Sequence, residues 1–166
     1  MTTPLMTKLL PLILLVPGLL HAGDFPHADE VIIDKSDREL HLLNSGKIIR
    51  TFKIALGIQP EGDKQKEGDF RTPEGKYLLD MRNPNSDYFL SIHVSYPSAA
   101  DRSEARQNGL DPGGSIMIHG QPNEPSRSET YYRTQDWTNG CIAVSNSDMI
   151  DIWLMLGDNT PIEIRP

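Results

Sequence analysis

The sequence is poor in cysteine, in basic charge and in long apolar runs. One cysteine, Cys141, stands in 166 residues, so no internal disulfide can form and stability has to come from a packed core. Acidic residues outnumber Lys and Arg by 23 to 16, for a net charge of −7 at pH 7. No basic stripe is present to neutralise phosphates, which excludes a nucleic-acid partner. The one apolar run of note, Leu9–Leu20, contains Pro11 and Pro17 and is twelve residues long. A membrane span needs about 20.

That run has instead the organisation of an export signal. Lys8 precedes it and Leu20-His21-Ala22 follows as a cleavage site, so residues 1–22 are expected to form a signal peptide. The expected mature chain has a polar lead-in, 23–30, and one domain, 31–166. Its expected location is the periplasm or cell envelope, with no transmembrane span once the signal is removed.

Periodicity and turn residues predict a mainly β domain. Apolar alternation places strands at 31–34, 39–43, 47–56, 76–81, 88–95, 115–119, 141–144 and 160–165. Asn44-Ser45-Gly46 has the chemistry of a hairpin turn. Residues 98–107 read as a helix capped by Ser98, and a second helix follows from about Asp148 to Leu156 with Asn146 or Ser147 as its cap. The expected architecture is a bent or sandwich-like antiparallel sheet with two or three short helices. The segment 121–137 reads equally as a lid or as a plain surface loop.

The chemistry concentrates at Thr138-Asn139-Gly140-Cys141. A nucleophilic sulfur has to stand proud of the backbone, near N–H groups that hold the oxyanion formed on attack. Gly140 permits a strained turn with close approach of a substrate. A lone thiol in an oxidising compartment is a liability unless it is buried or used. Near its ordinary pKa it is only about 3% ionised at pH 7, so it needs a base. His27 lies in the lead-in, and His41 and His93 sit within strands. His119 differs: it ends the apolar strand SIMIH and precedes Gly120, where a strand opens into a site loop. No pair of residues stands at metal-ligand spacing, and a redox sensor would need a second, resolving cysteine.

These residues resemble the L,D-transpeptidase catalytic domain family, the YkuD-type fold. The resemblance is carried by Ile118-His119-Gly120, then, with eighteen residues intervening counted from His119, Thr138-Asn139-Gly140-Cys141-Ile142. Upstream, Gly57, Pro60-Glu61-Gly62, the run Gly68-Asp69-Phe70-Arg71-Thr72-Pro73-Glu74-Gly75-Lys76-Tyr77, Ser95-Tyr96-Pro97 and Pro112-Gly113-Gly114 fit as well. The chain departs from the family at Asn139, where His is common, and at Ala143, where Arg or Asn is common. The resemblance implies a cysteine enzyme without metal or cofactor that forms cross-links between peptidoglycan stem peptides through a thioester. Cys141 would be the nucleophile, His119 the base, and the Gly120 carbonyl the group that orients the imidazole. Backbone N–H groups of Asn139, Gly140 and Cys141 would form the oxyanion hole, with Tyr96, Arg71 and Thr138 toward the substrate. The same dyad could serve a peptidase or amidase, or a ligase that joins an envelope lipoprotein to the wall. A non-enzymatic wall-binding domain would keep the fold without the chemistry.

Overall fold

The computed structural model describes residues 26–166; the expected signal peptide lies outside them. Eight strands form one sheet in the order β3-β2-β1-β8-β4-β5-β6-β7. The strands are β1 (Glu30–Asp34), β2 (Glu39–Asn44), β3 (Lys47–Lys53), β4 (Gly75–Ser86), β5 (Phe89–Val94), β6 (Met117–His119), β7 (Ile142–Ala143) and β8 (Thr160–Arg165). Three helices accompany them: α1 (Ala99–Gln107), α2 (Glu129–Thr134) and α3 (Asn146–Met155). The mainly β class holds. The sheet is mixed rather than wholly antiparallel, because β1 pairs with β8, and β6 with β7, in parallel. These junctions join segments far apart in sequence, so no local turn could have announced their direction.

Local chemistry accounts for the elements that were expected. Ser45 and Gly46 adopt φ of 51° and 73°, the positive pair that matches a two-residue hairpin to the strand twist. Ser98 and Asp101 form a reciprocal capping box at the start of α1. Ser145, one residue before the expected alternatives, caps α3 by accepting from the Asp148 N–H. The run expected as one strand to Leu56 ends at Lys53, and Ala55 then pairs separately with Ala143.

The core is a layer of aliphatic side chains between the sheet and α3. Ile33, Leu40, Leu42, Leu79, Ile118, Ile142, Met149, Ile152 and Ile164 are fully buried. Each such side chain contributes about 1.5–3 kcal/mol by leaving water. The lead-in joins this layer: Ala28 is buried, and its N–H donates to the Met155 carbonyl at 2.8 Å.

Candidate active site

Strand register brings the site residues to one face. Ile118 and Ile142 are paired and buried in the core. Side chains alternate along a strand, so Met117, His119 and Cys141 point to the opposite face. His119 pairs with Ser91 of β5, which in turn pairs with Asn83 of β4. Asn83, Ser91, Met117, His119 and Cys141 thus line a common groove of about 320 Å³.

The turn before Cys141 is locked from within. Thr138 Oγ1 donates to the Cys141 carbonyl at 2.7 Å and accepts from the Gly140 N–H at 3.1 Å. Gly140 has φ of 125°, and a Cβ there would lie 2.6 Å from the Arg71 carbonyl oxygen; no other residue fits. Thr138 therefore holds the turn, and the Gly140 N–H is committed to it. The donors left for an oxyanion are the N–H groups of Asn139 and Cys141.

His119 is 4% exposed. Its Nδ1–H donates to the Gly120 carbonyl at 2.7 Å, which leaves Nε2 as the basic nitrogen. Gly120 cannot be replaced without displacement, since a Cβ would meet Asn146 Oδ1 at 2.5 Å. That oxygen also accepts the Gln121 N–H, so the start of α3 fixes the loop that leaves the histidine. Tyr88 and Trp137 enclose the imidazole, with ring centroids 4.6 and 5.6 Å from it. Burial under these rings lowers the His119 pKa to about 4, against a smaller upward pull from the Gly120 carbonyl.

Cys141 is half-buried, and its thiol donates to the Ser115 carbonyl at 3.6 Å. Desolvation raises its pKa, while the Met117 N–H and the Lys64 ammonium oppose the rise. Burial therefore acts on both groups in the same sense, against the thiolate and against the imidazolium. Among the described residues no hydrogen bond joins them. Both line one groove.

Two expected substrate residues sit elsewhere. Tyr96 is buried and its hydroxyl donates to the Pro112 carbonyl at 2.9 Å. Arg71 donates to the Asp63 carbonyl, and its own carbonyl backs Gly140. Both shape loops behind the groove rather than its lining. His41 and His93 pair with Thr51 and Asp80 instead.

The structure adds residues that sequence reasoning passed over. Trp137 follows Asp136, whose carboxylate takes a forked bond from Arg38 and the Leu56 N–H. The Trp137 indole N–H donates to the Tyr132 carbonyl at the end of α2. The 121–137 segment therefore contains a helix and brings Trp137 to the groove. Trp137 abuts Thr138 in sequence and could have been suspected; Tyr88 carries no local signal.

Residues 28–164 match the family model of the YkuD L,D-transpeptidase catalytic domain. The YafK protein of Escherichia coli (strain K12) is 35% identical over 88 residues, which is 52% of this chain and 31% of that protein. The helical cell shape determining protein Pgp2 of Campylobacter jejuni superposes with a TM-score of 0.62 at 28% identity, over 84% of this chain and 48% of that one. Bd1075 of Bdellovibrio bacteriovorus gives 0.56 at 26% identity, over 85% and 48%. The matched region is thus half or less of each relative. The family match takes in nearly all the described residues, and the chain belongs to the L,D-transpeptidase catalytic domain family.

Proposed function

We propose that this protein is an exported, cysteine-dependent acyltransferase that acts on peptidoglycan stem peptides and forms cross-links between them. The observation that carries the reading is that Cys141 and His119 line one groove, with the imidazole tautomer fixed by Gly120. Cell-wall work also fits the family and the resemblance to a cell-shape protein.

In the proposed reaction the Cys141 thiol gives its proton to His119 Nε2 as sulfur attacks the substrate carbonyl. The oxyanion is met by the N–H groups of Asn139 and Cys141. His119 returns the proton to the leaving amine as the C–N bond breaks, which leaves a thioester. An acceptor amine then loses its proton to Nε2 and attacks; the C–S bond breaks and sulfur takes the proton back. An amine from a second stem gives a cross-link, a lipoprotein lysine gives an anchored protein, and water gives hydrolysis.

Mass spectrometry of muropeptides after incubation separates these products. Wild type is expected to form them through an acyl adduct on Cys141, and Cys141→Ala to form none. Product formation by the Ala variant at the wild-type rate would sink the proposal. Export is part of it: the mature protein recovered from the envelope fraction should begin at about Gly23.

A further inference from the structure

Trp137 covers one side of His119, with ring centroids 5.6 Å apart, and two anchors hold its backbone. Both are on Leu56, a fully buried core residue. Before Trp137, Asp136 Oδ1 accepts the Leu56 N–H at 2.8 Å. After it, the Thr138 N–H donates to the Leu56 carbonyl at 3.1 Å. The indole is pinned separately, by its own N–H to the Tyr132 carbonyl at 3.1 Å.

The first anchor depends on Arg38, at the end of the turn between β1 and β2 and 98 positions from Asp136. Arg38 Nε and Nη2 donate to Asp136 Oδ2 at 3.0 and 2.9 Å, and Nη1 donates to the Lys35 carbonyl. Arg38 has φ of 54°. A long side chain in that conformation carries strain, and the turn holds it while the guanidinium reaches Asp136. A surface ion pair by itself stabilises little. Here the arginine orients a carboxylate that also satisfies the backbone N–H of a core residue, and neither charged group lines the groove.

The titratable groups that share the groove with His119 are Asp87, Tyr88 and Cys141. Its strand neighbours, Ser91 on β5 and Ala143 on β7, do not titrate, and α3 presents Asn146 to the adjoining Gly120. Burial first, and the Gly120 carbonyl second, set the protonation of the ring.

We infer that Arg38 and Asp136 are a remote positioning pair that keeps Trp137 seated on His119 and so shields the imidazole from water. The consequence for turnover rests on the acyl-transfer reading above; the consequence for the ring does not.

The test uses the intact protein as wild type, as Asp136→Ala, and as the double variant Arg38→Met/Asp136→Asn, which leaves the net charge unchanged. The His119 ring is titrated by NMR, its signal assigned by its loss in His119→Gln. Freeing Trp137 admits water, so the ring pKa in Asp136→Ala should rise from about 4 to between about 5 and 6. Loss of a negative charge with Trp137 still seated would move it the other way, so the sign separates the two. The double variant, which keeps an acceptor for Leu56, should show a smaller rise. Release of the terminal residue from a stem tetrapeptide ending in D-alanine gives the pH profile. Relative to wild type, turnover by Asp136→Ala should fall about two- to tenfold more at pH 5 than at pH 8. A His119 pKa that stays or drops in folded Asp136→Ala overturns the positioning role and leaves the acyl-transfer reading standing. A raised pKa that the acid limb of turnover does not follow overturns His119 as the base and leaves the pair's role standing. Absence of turnover by wild type overturns the acyl-transfer reading, and the NMR titration still decides the pair. Circular dichroism reports folding; where Asp136→Ala does not fold, a double variant without any rise overturns the inference.

Discussion

The buried imidazole of His119 makes acid stability a direct readout of the site. Its pKa falls from an ordinary 6.5 to about 4 in the folded protein. Between those values the unfolded chain binds a proton that the folded chain refuses. Stability therefore rises with pH across this window, is fully present above about 6.5, and is lost as pH falls toward 4. At about 1.36 kcal/mol per pKa unit, the loss between pH 7 and pH 4 comes to about 3 kcal/mol. Carboxylates titrate in the same range, so the measurement has to be differential. Urea unfolding of wild type and of His119→Gln at pH 7 and pH 4 isolates the histidine, because every other group is shared. Wild type is expected to lose about 3 kcal/mol more than the variant on acidification. Equal losses would refute the reasoning, and would mean that the ring is solvated or ion-paired in the folded protein.

Two further outcomes test the resting state of the site and its turn. Iodoacetamide should alkylate Cys141 slowly at pH 7, with a rate still climbing beyond the range where an ordinary thiol ionises, because desolvation raises the thiol pKa; a rate already at plateau by pH 7 would show an ion pair instead. Gly140→Ala forces a Cβ to 2.6 Å from the Arg71 carbonyl oxygen at a φ of 125°, and should cost about 1–3 kcal/mol in urea unfolding together with a large loss of turnover; a variant as stable and active as wild type would mean that the turn is not held as described.

What the sequence made readable was chemistry encoded within a few residues. The positive-φ pair at Ser45-Gly46, the Ser98–Asp101 box and the strand 160–165 each need only their neighbours. The Thr138–Cys141 turn is of the same kind, since the threonine hydroxyl, the Gly140 N–H and the Cys141 carbonyl close one local ring of hydrogen bonds. What stayed hidden depends on register between distant strands. Tyr88 reaches His119 because β4 and β5 meet in a hairpin beside β6. Asp136 became a hub only when Arg38, 98 positions away, and Leu56, 80 positions away, were brought to it. Tyr96 illustrates the reverse case: an aromatic next to Pro97 in a family motif is equally a core residue, and burial decided it.

The two electrostatic findings at the site fit together. A thiolate–imidazolium pair would carry the cost of an imidazolium buried under Tyr88 and Trp137 and of a thiolate on the desolvated Cys141. In the proposed reaction, the N–H donors of the 138–141 turn are held in place for the moment charge appears. Fixed dipoles act at full strength only on the species that carries the charge, so they favour the oxyanion and the attacking sulfur over the resting thiol. In the same proposal, a sulfur without substrate is a poor nucleophile. In the proposed reaction, substrate entry changes that balance by excluding water from the groove and by presenting a carbonyl whose oxygen takes the charge.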